Sequence, residues 1–184
     1  MSLSNEYLKE LLDGKLAWTE VKNIVSRPKD DDRFLRVLEI LQQRTGWKEK
    51  ILMPLTEHLY IVQKGNERVV RCDCGHEFGD YRCNWKLQAH ILARDSQASL
   101  EEIYPGLSAP NAELGEVREF ICPNCAVLLK VESVPLGYPL IFDALPDLDG
   151  FYREWLGTPL DDTCEFKDLS LDTTAAWGKA LQAS

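Results

Sequence analysis

Four of the six cysteines stand in two close pairs, Cys72-Asp73-Cys74 and Cys122-Pro123-Asn124-Cys125. Two thiolate pairs brought together make a tetrahedral, sulfur-rich cage of the kind Zn²⁺ prefers. Val69-Val70-Arg71 leads into the first pair and Gly75 follows it, while Glu119-Phe120-Ile121 leads into the second. A strand, a tight two-cysteine knuckle and a return strand form the layout of a zinc ribbon. The C-P-x-C spacing is usual for such a knuckle, and the C-x-C spacing is tighter. Reduced, partly buried cysteines without metal are the alternative. Cysteines one residue apart bridge poorly, because a disulfide needs a specific Cα separation and dihedral. Four thiolates would close the coordination sphere, which marks a structural site, since a catalytic zinc keeps one position open. His76 could replace one sulfur, or hydrogen-bond beside the thiolates. Cys83 and Cys164 stand alone and are expected as unligated thiols.

Other catalytic chemistry is thinly represented. The chain has three histidines, His58, His76 and His90. His58 and His90 read as surface or satisfied core residues. There is no Gly-rich phosphate loop, and no Ser–His–Asp or Cys–His arrangement can be assembled. No catalytic and no cofactor-binding residue is therefore assigned. The net charge of −9 argues against simple nucleic-acid binding, which rests on Lys and Arg neutralising phosphates. Arg68, Arg71, Arg82, Lys86 and Arg94 gather near the first knuckle and are expected as a solvated rim, with a local basic face as the alternative. No run approaches ~18 consecutive apolar residues, so no membrane span is expected. Met1 to Glu6 lacks the basic start and apolar core of a secretory signal. Thiols are then expected to stay reduced, in a cytoplasmic setting.

The elements that must position the knuckles follow from periodicity. Residues 5 to 13 and the stretch from Leu16 to Val25 predict two short helices, and Pro28 stops the second. The Asp30-Asp31-Asp32 run is expected to open a third helix, where the helix dipole favours negative charge. That helix should carry Phe34, Leu35, Val37, Leu38 and Leu41 on one face and close at Thr45-Gly46. Residues 51 to 55 and 58 to 62 predict strands, and Gly65-Asn66 predicts a hairpin turn returning through Val69-Val70. Residues 84 to 94 predict a helix, and Leu100 to Tyr104 another turn of one. Val117 to Ile121 and Val127 to Val134 predict strands around the second knuckle. From Pro135 the chain is rich in Pro, Gly and aromatics, and is expected to wrap over the domain or lie on a partner. The polar stretch after Leu160 is expected as an arm or frayed tail.

The expected class is α+β. An N-terminal helical region (1–46) precedes a zinc-ribbon-like β domain (47–134) with an inserted helical subdomain (75–121), and an extended C-terminal segment with its tail follows (135–184). Three functional classes are open on the residues alone, of which two are a zinc-stabilised structural chain and a stand-alone zinc-ribbon module binding nucleic acid or protein. A small zinc hydrolase using His76 is a third.

Several stretches resemble a known family. They are Asp13-Gly14-Lys15-Leu16, Val37-Leu38-Glu39-Ile40-Leu41-Gln42, residues 70–78 around Cys72 and Cys74, Asn84-Trp85-Lys86, Glu102-Ile103-Tyr104-Pro105, residues 118–125 around Cys122 and Cys125, and residues 150–157. In this order, across roughly residues 5 to 160, they resemble the small γ subunit of acetone carboxylase. The resemblance implies a cytoplasmic heterohexamer of two α, two β and two γ chains. Such complexes carboxylate acetone with bicarbonate to acetoacetate, with ATP hydrolysed to AMP and phosphate, and relatives act on aromatic ketones such as acetophenone. It places ATP and Mn²⁺ in the large α and β subunits, and Zn²⁺ in the γ-like chain on Cys72, Cys74, Cys122 and Cys125. It implies no nucleic-acid or membrane partner. Cys83 departs from the family's pattern and would bring a fifth sulfur toward the site.

Overall fold

The computed structural model describes residues 3–182. Met1 and Ser2 of the N-terminal stretch, and Ala183 and Ser184 of the tail, lie outside the described residues. Three helices come first: α1 (Asn5–Leu12), α2 (Trp18–Val25) and α3 (Arg33–Thr45). Gly46 ends α3 in the left-handed conformation, with φ +65°, where a Cβ would be strained and glycine is not. The aspartate run opens α3 as expected, with Asp32 at the N-cap position. No side chain caps α3 at Asp32. Asp30 instead accepts from the Leu3 N–H at 3.1 Å and pairs with Arg36 at 3.1 Å, tying the chain start to α3.

A four-stranded antiparallel meander follows, with β1 (Lys50–Pro54), β2 (Leu59–Lys64), β3 (Glu67–Cys72) and β4 (Glu77–Asp80) side by side in that order. The uninterrupted apolar run Leu59-Tyr60-Ile61-Val62 is explained by burial on both faces of the sheet. Tyr60 and Val62 face α3 with Ile51 and Val69, packing on Leu38 and Leu41. Leu59 and Ile61 face the opposite way, into a core with Leu52, Val70, Phe78, Trp85, Phe120 and Leu129. Each such aliphatic side chain contributes about 1.5–3 kcal/mol by leaving water.

A second antiparallel sheet holds β5 (His90–Arg94), β6 (Gly115–Ile121) and β7 (Leu128–Pro135), with α4 (Gln97–Ile103) between β5 and β6. The helix expected over residues 84–94 is a correction. Only Trp85–Gln88 turns, as a 3-10 helix begun by the Asn84 side chain accepting from the Lys86 N–H. Residues 90–94 form β5, paired residue for residue with β6 from His90↔Ile121 to Arg94↔Val117. Tertiary pairing overrides the local apolar spacing.

The C-terminal segment wraps over the domain, one of the two expected outcomes. Leu140, Leu145, Leu148 and Leu160 pack on the main core. A short α5 (Leu148–Gly150) runs into a π turn (Phe151–Trp155), whose Tyr152 hydroxyl donates to the Leu52 carbonyl at 2.8 Å. The polar stretch beyond Leu160 is more than an arm. It ends in α6 (Ser170–Gln182), and the Ser170 hydroxyl accepts from the Asn84 N–H at 2.8 Å.

Three of the five basic residues near the first knuckle are a second correction, while Arg82 and Arg94 stay half-buried at the surface in ion pairs with Asp80, Glu102 and Glu119. Arg68, Arg71 and Lys86 are buried. Lys86 reaches Glu132, Asp143 and the Ile141 carbonyl, and its ammonium lies over the Phe120 ring at 5.5 Å. Arg71 sits between Glu49 and Glu77, stacked on Trp47 at 5.1 Å. Arg68 makes a two-pronged pair with Asp149 at 2.8 and 3.1 Å and also donates to the Asp162 carbonyl.

Removing one partner of a buried pair leaves a charge without compensation. Asp149→Ala is therefore expected to cost about 3–5 kcal/mol, read as a lower urea midpoint. Burial pushes the Asp149 carboxyl up, but the Arg68 guanidinium and the Cys164 N–H outweigh it and hold it below 3.8. The unfolded chain then binds the proton more tightly than the folded one. The pair's contribution is complete above the ordinary carboxylate range and is lost as pH falls through the folded value. The urea midpoint of the wild type should fall in that acid range more steeply than that of Asp149→Ala.

Candidate metal centre

Each cysteine pair sits in the turn of a hairpin, and the two hairpins belong to different sheets. In the first, Cys72 closes β3, its N–H donates to the His76 carbonyl at 2.8 Å, and the Gly75 N–H donates back to the Cys72 carbonyl at 2.8 Å. Gly75 has φ +89°, and this reversal needs a residue without a Cβ. In the second, the Cys122 N–H donates to the Val127 carbonyl and the Ala126 N–H to the Cys122 carbonyl, both at 3.0 Å. Ala126 takes the left-handed position there, with φ +60°.

The fold brings all four predicted ligands together, with every sulfur within 4.8 Å of the others. Two approaches cross between the knuckles: Cys72 to Cys125 at 3.8 Å and Cys74 to Cys122 at 3.7 Å. Four sulfurs placed tetrahedrally at about 2.3 Å from a common ion would be about 3.8 Å apart. The cage therefore fits a metal ion of that size and preference. Cys72 and Cys122 are buried, whereas Cys74 and Cys125 are exposed. One half of the cage rests on the core and the other faces water.

The surroundings favour thiolates unequally. Burial pushes the Cys72 thiol up. Burial also raises Cys74, but the Asn124 amide and the His76 backbone N–H outweigh it and bring that thiol down to about 6. The Asn124 Nδ2 lies 3.4 Å from the Cys74 sulfur. Sequence reasoning passed over Asn124, although its place inside the second knuckle, next to Cys125, was the available signal.

His76 is outside the four-sulfur cluster, and its ring meets Phe78 edge-on at 4.9 Å. His58 is half-exposed and its Nδ1 lies 2.6 Å from Asp73, the residue between the first two cysteines. His90 is exposed at the start of β5. Cys83 brings no fifth sulfur, because its thiol lies 3.2 Å from the Thr173 hydroxyl of α6. Cys164 is a free thiol whose N–H is bound by Asp149.

The family model for the acetone carboxylase gamma subunit matches residues 45–156. That span runs from the end of α3 to the π turn and contains both sheets and all four cluster cysteines. An acetone carboxylase gamma subunit from Xanthobacter autotrophicus (strain ATCC BAA-1158 / Py2) is 42% identical over 167 residues, covering 90% of this chain and 99% of that one. This chain belongs to the acetone carboxylase gamma subunit family. In this member α1, α2 and α6 flank the matched span. Among the described residues no helix is long and apolar enough to cross a membrane.

The two knuckles differ in how their left-handed position is filled, and this gives a paired test. An L residue in that conformation costs roughly 1–2 kcal/mol relative to glycine. Ala126→Gly is expected to raise the unfolding free energy by up to about that amount, less the entropy glycine loses on folding, and so to raise the urea midpoint. Gly75→Ala is expected to lower it, and both shifts are read by circular dichroism in metal-saturating buffer.

Proposed function

We propose that this chain is the small, zinc-binding structural subunit of an ATP-dependent ketone carboxylase. The reaction assigned to the complex joins acetone and bicarbonate to give acetoacetate, with ATP hydrolysed to AMP and phosphate. ATP and Mn²⁺ belong to the large α and β subunits, in a cytoplasmic α2β2γ2 assembly. The observation that carries this reading is a closed four-sulfur cage in a chain that matches a gamma subunit over nearly the whole length of both.

Zinc is the metal that suits the donor set: four thiolates in a tetrahedral cage, without an oxygen or nitrogen ligand. When bound, it supplies folding free energy rather than an open coordination position. Cys72, Cys74, Cys122 and Cys125 hold it, and Asn124 donates toward Cys74. The chain's own contribution to turnover is then architectural, and the bond-making chemistry lies with the large subunits. A stand-alone nucleic-acid-binding ribbon is the rival reading. The burial of Arg68, Arg71 and Lys86 in ion pairs counts against it, since those cations are unavailable to phosphates.

The experiment is affinity purification of the tagged chain from its native host. Two large chains in equal amount, with ketone-dependent ATP hydrolysis in the eluate, are expected. Recovery of the chain alone, or with nucleic acid, would overturn the reading. The purified chain by itself is expected to contain one zinc, to lose its fold on chelation and regain it on zinc return, and to show no ATPase activity. Cys74→Ser should lower zinc affinity by at least tenfold in a competition titration, because a hydroxyl is a far poorer zinc donor than a thiolate.

A further inference from the structure

α1, α2 and the start of α3 enclose a cleft of about 470 Å³. Leu3, Ile24 and Pro28 give it apolar walls. Tyr7, Glu20, Asn23, Arg27 and Arg33 bring polar groups to it. α2 faces the cleft through Ile24, the buried residue of that helix. Glu20, Asn23 and Arg27 stand three or four positions from Ile24 or from one another, which places them on the same side.

The cleft holds donors that the chain leaves without acceptors. Glu20, the one carboxylate among its lining residues, has both oxygens engaged, accepting from the Tyr7 hydroxyl and the Ala17 N–H at 3.1 Å each. Arg33 brings the five N–H donors of a guanidinium, and its side chain is only 14% exposed. Its one ion pair is a 3.5 Å contact from Nε to Asp30 Oδ2. That oxygen already accepts from the Leu3 N–H and from Arg36, both at 3.1 Å. Arg33 Nε is sealed from solvent without a hydrogen bond. Among the described residues, the side chains of Asn23, Arg27 and Arg33 make no hydrogen bond at all. A cation largely withdrawn from water is normally paired and hydrogen-bonded. Here the acceptor is left to come from outside the chain.

We infer that this cleft binds a short-chain monocarboxylate. The two carboxylate oxygens meet Arg33 and Arg27, with the Asn23 amide as a further donor, and the hydrocarbon part lies against Leu3, Ile24 and Pro28. The fork of an arginine matches a planar carboxylate with two parallel hydrogen bonds. Charge sets the ligand class. The lining residues carry two cations, Arg27 and Arg33, against one carboxylate, Glu20, and Asp30 stands beside Arg33. That surplus serves one negative charge. A second charge, as on a phosphate, would meet Glu20 and Asp30 without a cation of its own. The cleft shares no lining residue with the four-cysteine cage, and the inference does not depend on the complex proposed above.

The test titrates butyrate into the full chain in zinc-saturating buffer and follows the NMR signals of the Arg33 Nε–H and the Asn23 side-chain amide. Both signals are expected to shift and saturate together. Butyramide, which keeps the shape and lacks the charge, and inorganic phosphate should each bind at least about tenfold more weakly, since hydrogen bonds to a charged group are the stronger ones. Three variants are compared with the wild type. Asn23→Ala and Arg27→Ala change exposed side chains, and Arg33→Lys keeps the charge but removes the fork. Zinc content and circular dichroism report their folding. Arg33→Lys is expected to weaken butyrate by at least about tenfold, and Arg27→Ala and Asn23→Ala by several-fold. Should Arg33→Lys fail to fold, the two exposed variants decide. Folded variants that bind butyrate like the wild type would place binding elsewhere and overturn the inference. Butyramide binding as well as butyrate would reduce the cleft to an apolar one, and phosphate binding more tightly would name the wrong class; either result overturns it, as does the absence of any saturable shift.

Discussion

The structure depends on one meeting point, where the hairpin turns of two separate sheets place four sulfurs within 4.8 Å. Among the described residues the two sheets share no hydrogen-bonded ladder. What joins them is the apolar core beneath the knuckles, which contains Cys72 and Cys122 themselves together with Phe78, Trp85, Phe120 and Leu129. Packing therefore brings the two turns close. Packing alone gives no reason for four sulfurs to converge, since thiolates repel one another and thiols are weak hydrogen-bond partners. A cation at the centre would convert that repulsion into attraction. The turns are shaped for it by Gly75 and Ala126, each in the left-handed region.

Once the body is closed, the C-terminal segment must be held without a sheet of its own. Backbone carbonyls there need donors, because a buried one left unpaired costs about as much as a lost hydrogen bond. Cationic side chains of the body supply them in succession: Arg118 to the Tyr138 carbonyl, Lys86 to Ile141, Arg68 to Asp162 and Arg82 to Glu165. Asp143 and Asp149 add carboxylates on the strap that pair with Lys86 and Arg68. Buried pairs of this kind contribute little net stability compared with apolar packing, but they penalise any other arrangement heavily. They fix the path of the strap more than they strengthen it.

Much of this was legible in the sequence, for identifiable reasons. The cysteine pairs, the hairpin at Gly65-Asn66, the third helix and the strands flanking each knuckle are local patterns, and the fold preserves them. The strap's course over the core was legible only as one of two alternatives. Four features escaped because they depend on distant partners. His90 to Arg94 reads as helix by spacing and becomes a strand through β6. Arg68, Arg71 and Lys86 read as surface residues because their acidic partners, Asp149, Glu77, Glu132 and Asp143, come from other elements. Asn124 was passed over because its amide acts on a sulfur about fifty residues earlier, a contact no local pattern encodes. The tail read as polar and therefore loose, yet Cys83 and Asn84 receive the first turn of α6.

The distribution of what remains exposed follows from the same division. Inside the body, even large charged groups such as Arg68 and Lys86 are buried and partnered. At its margins the reverse holds: Trp18 and Val25 on α2, Trp155 on the π turn, and Phe166 and Leu171 around the start of α6 all stand well out in water. Scattered apolar side chains are normal on any surface. Two tryptophans exposed by more than two-thirds, on a chain that buries even its charged groups in ion pairs, fit a protein that works with a partner. A body closed at the sulfur cage, with aromatic side chains presented from its attached elements, has the design of a component whose remaining apolar surface is meant for another chain.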